Sequence, residues 1–206
     1  MGGTLVGEPA RRALLGLSNC RVSDYARRMT ANHSRLLAIV AAIVTAAALR
    51  LVPHPPNFTP IGAMALFSGA YLGRRGLAFA APLAALALSD LALGFYPEVS
   101  FVYVAVAATV VIGWALSRRR NVVRVGGAAI AGSVLFFALT NFGVWLLMDY
   151  YPKNLAGLAA CYAAAIPFFQ NTLAGDLFYA TVLFGGFALL ERAIPAVRRG
   201  GAAQPA

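Results

Sequence analysis

Six long apolar runs, at 36–52, 58–72, 76–95, 99–117, 125–148 and 171–190, occupy most of the chain and constrain its fold more than any motif. Most approach the ~20 apolar residues needed to cross a hydrocarbon core of ~30 Å. Backbone in lipid must satisfy its own hydrogen bonds, and nothing here alternates with the period of a barrel strand, so each run is expected to be a helix. Composition agrees: 60% of the 206 residues are hydrophobic and 12% are charged, about half of the ~25% charged in soluble domains. The expected fold is all-α, a polytopic integral membrane protein whose six-helix transmembrane bundle covers 35–192. A disordered extension over 1–34 and a flexible tail over 193–206 are expected to flank it.

The net charge of +10 would point to nucleic acid in a soluble protein. Its distribution says otherwise. Arg11, Arg12, Arg21, Arg27, Arg28 and Arg35 precede the first run, and Arg74 and Arg75 follow the second. Arg118, Arg119, Arg120 and Arg124 follow the fourth, and Arg192, Arg198 and Arg199 follow the sixth. Of the 17 basic residues only Arg50 and Lys153 fall on the other side of a six-span arrangement. The positive-inside rule then expects both termini in the cytoplasm, with the bilayer as solvent. No nucleic-acid partner is expected, because the aromatics sit in apolar runs rather than among the basic residues.

Several smaller readings follow. The segment 155–169, with Cys161 and Pro167, is too short for a comfortable seventh span and is read as an outer-face or re-entrant helix. The small residues Ala46, Ala47 and Ala48 resemble a signal cleavage site, but removing the first run would break the charge alternation. Met29, directly after Arg27 and Arg28, is an alternative start. Cys20 and Cys161, like His33 and His54, are assigned to opposite sides, so neither a disulfide nor a metal site is expected.

The informative residues are polar ones within or at the rim of apolar runs, where ionisable groups are expensive. Asp90 lies about 21 Å from the cytoplasmic end of the third run at 1.5 Å per residue, which puts it in the outer part. Asp176, Asn141, Asn57, Arg50, His54, Trp145, Asp149, Tyr150, Tyr151, Gln170 and Asn171 fall in the same outer layer. The cytoplasmic halves are mostly Ala, Val, Leu, Ile and Gly. This layering is expected to form a cavity open to the outside and closed below, unlike a channel or a carrier with a midplane acid.

Each residue carries two readings. Asp90 and Asp176 either pair with Arg50 to fix helix register or line a ligand cavity. Asn57 either caps the second helix, which carries Pro60, Gly62 and Gly69, or contacts ligand. Trp145, Tyr150 and Tyr151 form an interfacial belt or stack on a ligand, and Asn141 is helix-to-helix glue or a binding group. Ala38, Ala42 and Ala46 form a small-residue stripe, for packing within the bundle or for docking a membrane partner.

The pieces Asn57-Phe58-Thr59-Pro60-Ile61-Gly62, Leu88-Ser89-Asp90-Leu91, Asn141-Phe142-Gly143-Val144-Trp145 and Gly175-Asp176-Leu177 resemble a family of uncharacterised bacterial six-span membrane proteins. That family in turn resembles the substrate-binding S components of energy-coupling factor (ECF) transporters. The resemblance covers about 36–190. It implies capture of a vitamin-like nutrient from the outer side of the bacterial inner membrane, and association through the first helix with a membrane coupling subunit driven by ATPases. The chain has no Walker-type phosphate loop, as that division of labour requires.

The expected function is therefore a substrate-capture subunit for a small molecule, without a cofactor and without catalysis. Asn57, Asp90, Asn141 and Asp176 would line the pocket, Arg50 would balance the acids or hold an anionic ligand, and Trp145 or Tyr151 would cover the opening. The alternative is a membrane scaffold or assembly protein whose polar layer is structural. No zinc helix, diiron pattern or nucleophile triad supports an intramembrane enzyme.

Overall fold

A computed structural model describes residues 30, 32–73 and 76–198, and all regular structure among them is helical. The helices are α1 (Asn32–Leu49), α2 (Ile61–Leu72), α3 (Leu77–Leu93), α4 (Val99–Trp114), α5 (Val122–Leu147) and α6 (Leu155–Ala193). Of these, α1, α5 and α6 are long and apolar enough to cross a membrane, while α2, α3 and α4 are shorter apolar helices. The extension over 1–29, with Met1, Cys20 and the alternative start at Met29, lies outside the described residues, as do Arg74, Arg75 and the tail from Arg199 onward. The chain divides into two compact units, Ile39–Leu189 and a terminal unit up to Ala38 and from Leu190.

Within Ile39–Leu189, α2 is the element around which the rest is organised. All its residues except Gly62 and Tyr71 are buried, and it packs against α3, α4, α5 and α6. A helix apolar all round belongs in an interior, and twelve residues reach only about 18 Å. Close approach to α4 depends on glycine. A Cβ at Gly69 would sit 2.0 Å from the Val110 carbonyl oxygen, and one at Gly113 would sit 2.4 Å from that of Leu66.

This buried helix has no side-chain cap at its start, where Pro60 precedes it, and neither end turn carries a complementary charge; its last turn is closed by the Gly73 N–H donating to the Gly69 carbonyl at 3.0 Å. Tertiary partners supply the charges. Arg120 donates through Nη2 to the Ala70 carbonyl at 2.8 Å and lies 4.1 Å from the Tyr71 ring centroid. That places a cation at the negative end of the helix dipole. The opposite end meets Asp176, described below.

The largest departure from the sequence expectation is α6. The segment 155–169 is not a separate outer-face helix: Leu155–Ala193 is one helix of 39 residues, about 58 Å long. Asn154 starts it, its side chain accepting from the Gly157 N–H at 2.8 Å. Pro167 removes one backbone donor but does not end the helix. Gln170, left between 155–169 and the run 171–190, lies inside it, as does Asn171, whose amide donates to the Pro56 carbonyl at 2.9 Å instead of competing for its own backbone. A single π turn, Thr181–Gly185, absorbs the irregularity further along.

The second helix also starts later than expected, at Ile61. Asn57 does not cap it; it adopts a left-handed conformation with φ 63°, one that asparagine tolerates better than most residues. The loop carrying it rests on α6, where Phe58 packs against the rings of Phe178 and Tyr179 at 5.8 and 5.6 Å.

Outward faces are as apolar as the inward ones. Leu88 and Leu91 on α3, Val104 and Val111 on α4, Val134 on α5, and Phe178 and Val182 on α6 are all exposed. In the terminal unit, Arg35 is buried and donates to Glu191 Oε1 at 2.5 Å and to the Val197 carbonyl at 2.7 Å.

Candidate functional site

A cavity of about 320 Å³ lies within Ile39–Leu189. Four residues singled out from the sequence line it: Arg50, Asn57, Asn141 and Asp176. They come from the end of α1, the loop before α2, α5 and α6. Sequence alone placed them in one layer, and the fold brings them to one space.

Asp176 is almost wholly buried and ties three helices together. From α6 it accepts from Ser133 Oγ of α5 at 2.7 Å and from the backbone N–H of Ala63 in the first turn of α2. A carboxylate at that position answers the free donors and positive dipole end of an uncapped helix. Gly62 is what admits it, because a Cβ there would lie 2.3 Å from Asp176 Oδ1. Gly175 similarly lets the loop backbone at Phe58 and Thr59 approach, with a Cβ only 3.2 Å from each.

Arg50 is paired with Asp90, and Asp176 is not its partner. The guanidinium donates to Asp90 Oδ1 at 2.5 Å and to Ser89 Oγ at 2.6 Å, and Tyr103 donates to Asp90 Oδ2 at 3.1 Å. Asp90 is fully buried and does not line the cavity, so it holds Arg50 from behind the wall. Arg50 also donates to the phenol oxygen of Tyr96, a lining residue in the loop after α3. Burial, and secondarily the Asp90 charge, pushes that phenol above its ordinary value, so it stays a neutral hydroxyl.

Trp145 does not line the cavity either. Its indole N–H donates to the Pro152 carbonyl at 2.9 Å, and Lys153 donates to the carbonyls of Trp145 and Met148, so the pair clamps the turn between α5 and α6. Tyr151 is likewise absent from the lining. In the alanine stripe, Ala46 is part of the core while Ala38 and Ala42 are half-buried.

Sequence reading missed much of the wall. Phe136, Phe137, Phe168 and Phe169 face the space from α5 and α6, with the Phe137 and Phe169 centroids 4.9 Å apart. Thr59, Thr140, Thr172 and Glu98 add to its polar part. The paired phenylalanines are invisible as site residues in an apolar run, although Thr140 and Thr172 stand one position from the asparagines of the same helices. Glu98 was legible only as an outer-side acid at the start of α4.

Cys161 is buried, with its thiol 3.5 Å from the Asn141 carbonyl. Among the described residues no group of histidines, cysteines and acids is arranged to hold a metal. What the arrangement offers is a small chamber with aromatic walls and a few oriented polar groups, the usual make-up of a ligand pocket. Comparison with curated proteins and with solved structures gives no match. The family of unknown function DUF6580 matches the chain over residues 30–197, and the chain belongs to that family.

Proposed function

We propose that this protein is a six-span subunit of the bacterial inner membrane, with both termini in the cytoplasm, that captures a small molecule from the outer side. The observation that carries this is the cavity shared by Arg50, Asn57, Asn141 and Asp176, the same residues that loop charge assigns to the outer layer. The exposed leucines, valines and phenylalanines on helix faces suit lipid contact, and α2, too short to span alone, is sheltered by its neighbours. Supply of energy falls to a separate coupling subunit with ATPases, in the manner of ECF S components; support for that step is the sequence resemblance and the absence of a phosphate loop.

Native mass spectrometry after gentle extraction tests capture directly. The expected result is a retained small molecule that leaves on activation in the gas phase. A protein with no retained mass and no thermal shift across a nutrient panel would favour the scaffold reading instead. That second reading draws on a specific observation: Asp90 and Asp176 make bonds inside the protein, as structural groups do.

Asn141 separates the two. Its amide donates only to Phe137 of its own helix, at 2.8 Å, so Asn141→Ala is expected to change stability by less than about 1 kcal/mol. Capture predicts at least a tenfold loss of ligand affinity in that folded variant, and a scaffold predicts no change in retained ligand. Orientation is checked by single cysteines in a Cys-free background: one at Asn154 is expected to react with an impermeant maleimide in intact cells, and one at Asn121 only after permeabilisation.

A further inference from the structure

We propose that the ligand of this cavity is an organic cation, a protonated or quaternary amine, with Glu98 as its counter-charge and the phenylalanine rings as its cage. The proposal rests on the capture reading above and adds the chemical class of the substrate.

Charge on the wall is the first ground. The lining holds one cation, Arg50, and two acids, Asp176 and Glu98. The guanidinium is committed to Asp90, which lies outside the lining, and to Ser89. It therefore offsets a charge behind the wall rather than one on it. Asp176 has the Ser133 hydroxyl and the N-terminus of α2. Glu98 has no such partner: its Oε2 is shut off from solvent and accepts no hydrogen bond. Oε2 is closed to the cavity as well as to bulk solvent, so a cationic ligand acts on the Glu98 carboxylate as a whole, supplying the counter-charge that no described residue gives it.

Hydrogen-bond polarity is the second ground. The Thr140 hydroxyl donates to the Phe136 carbonyl at 2.8 Å and that of Thr172 to the Phe168 carbonyl at 3.4 Å, both within their own helices. The Asn141 amide N–H donates to Phe137. The two hydroxyls retain oxygen lone pairs for a ligand, and the Asn141 amide retains its carbonyl oxygen and one N–H. An anion would meet these lone pairs and two carboxylates, with Arg50, already offset by Asp90, as the one cation on the wall. An ammonium group would meet partners.

The rings are the third ground. Phe136, Phe137, Phe168 and Phe169 line the space; aromatic rings attract a cation where water is excluded, and they add apolar area for the body of the molecule. Arg50, expected from sequence to balance the acids or hold an anionic ligand, has its charge offset by Asp90 from behind the wall.

The test uses the full chain in nanodiscs and four probes of one size: benzyltrimethylammonium, benzylammonium, benzyl alcohol and benzoate. Binding is read by calorimetry and by displacement of retained ligand. The two cations are expected to bind at least tenfold more tightly than the alcohol, and benzoate not at all. Glu98→Gln is expected to erase the preference for cations. The same substitution is expected to raise the melting temperature of the empty protein by about 2–4 °C, since it removes an unpartnered charge without changing shape. Binding of benzoate or the alcohol as tightly as the cations, blocked by filling the cavity with Ala165→Trp, would overturn the cation inference and leave capture standing. Absence of binding by all four probes, with no retained ligand, would overturn both. A Glu98→Gln protein that keeps the full preference for cations would overturn the role of Glu98.

Discussion

A Gly69→Val protein is expected to fail to assemble the Ile39–Leu189 unit, giving aggregated material in detergent instead of a monodisperse species. The added Cβ would lie 2.0 Å from the Val110 carbonyl oxygen, and Gly113 faces it across the same contact, 3.1 Å away at Cα. Both obstacles are backbone, so no rotamer change relieves them. Separating α2 from α4 would uncover Leu66, Phe67, Val106 and Val110, all fully buried, and the cost exceeds about 4 kcal/mol. Gly126, with open space at its Cβ position, is the control. Gly126→Ala is expected to be neutral or stabilising by up to about 1 kcal/mol, because helical glycine is entropically unfavourable. A wild-type melt for Gly69→Val would show that α2 and α4 do not meet there.

Asp90→Ala is expected to destabilise the fold by about 3–5 kcal/mol, because it leaves the Arg50 guanidinium largely buried with its main partner gone. Side-chain exposure is 11% for Arg50 and 0% for Asp90, so water screens the pair little. The Tyr103 hydroxyl would lose its acceptor as well. Replacing both members, Arg50→Leu with Asp90→Leu, is expected to recover most of the loss, since a buried pair exchanged for apolar groups is often neutral. Melting temperatures of the two single variants and the double variant measure the coupling. A double variant no more stable than Asp90→Ala would mean that the loss comes from packing, not from an orphaned charge. The pair positions Arg50 against Tyr96 and so shapes the cavity from behind, which makes the double variant a folded protein with a disturbed site.

Both predictions concern contacts that no sequence pattern displays. Apolar runs did locate the helices, since burial in lipid and burial in a core both demand them. Pro60, Gly62 and Gly69 marked the second run as unusual, and a sheltered α2 is what the structure has. Of the polar residues singled out, Arg50, Asn57, Asn141 and Asp176 share one cavity, while Asp90 and Trp145 lie outside its lining. Their partners were not legible. Asp176 was as good a candidate for Arg50 as Asp90 was, and only the packing of α6 against the start of α2 decides between them. The continuity of α6 through Pro167 and Asn171 was misread for a related reason. The shortness of 155–169 argued for a separate segment, while in the structure the helix runs on through it, with the Asn171 amide held by the Pro56 carbonyl.

The sequence by itself determined that this chain is helical and which stretches are apolar, because hydropathy along the chain is a local property. The chain also marks polar residues in separate runs, and four of those singled out line one cavity. The packing of the helices settles which of them meet: Asp90 holds Arg50 from behind the wall, Asp176 sits at the start of α2, and Glu98 lines the cavity with no hydrogen-bond partner for its Oε2 among the described residues. Those outcomes depend on distances between helices remote in sequence, and in a low-dielectric interior such distances govern whether a charge is satisfied or left available for a ligand.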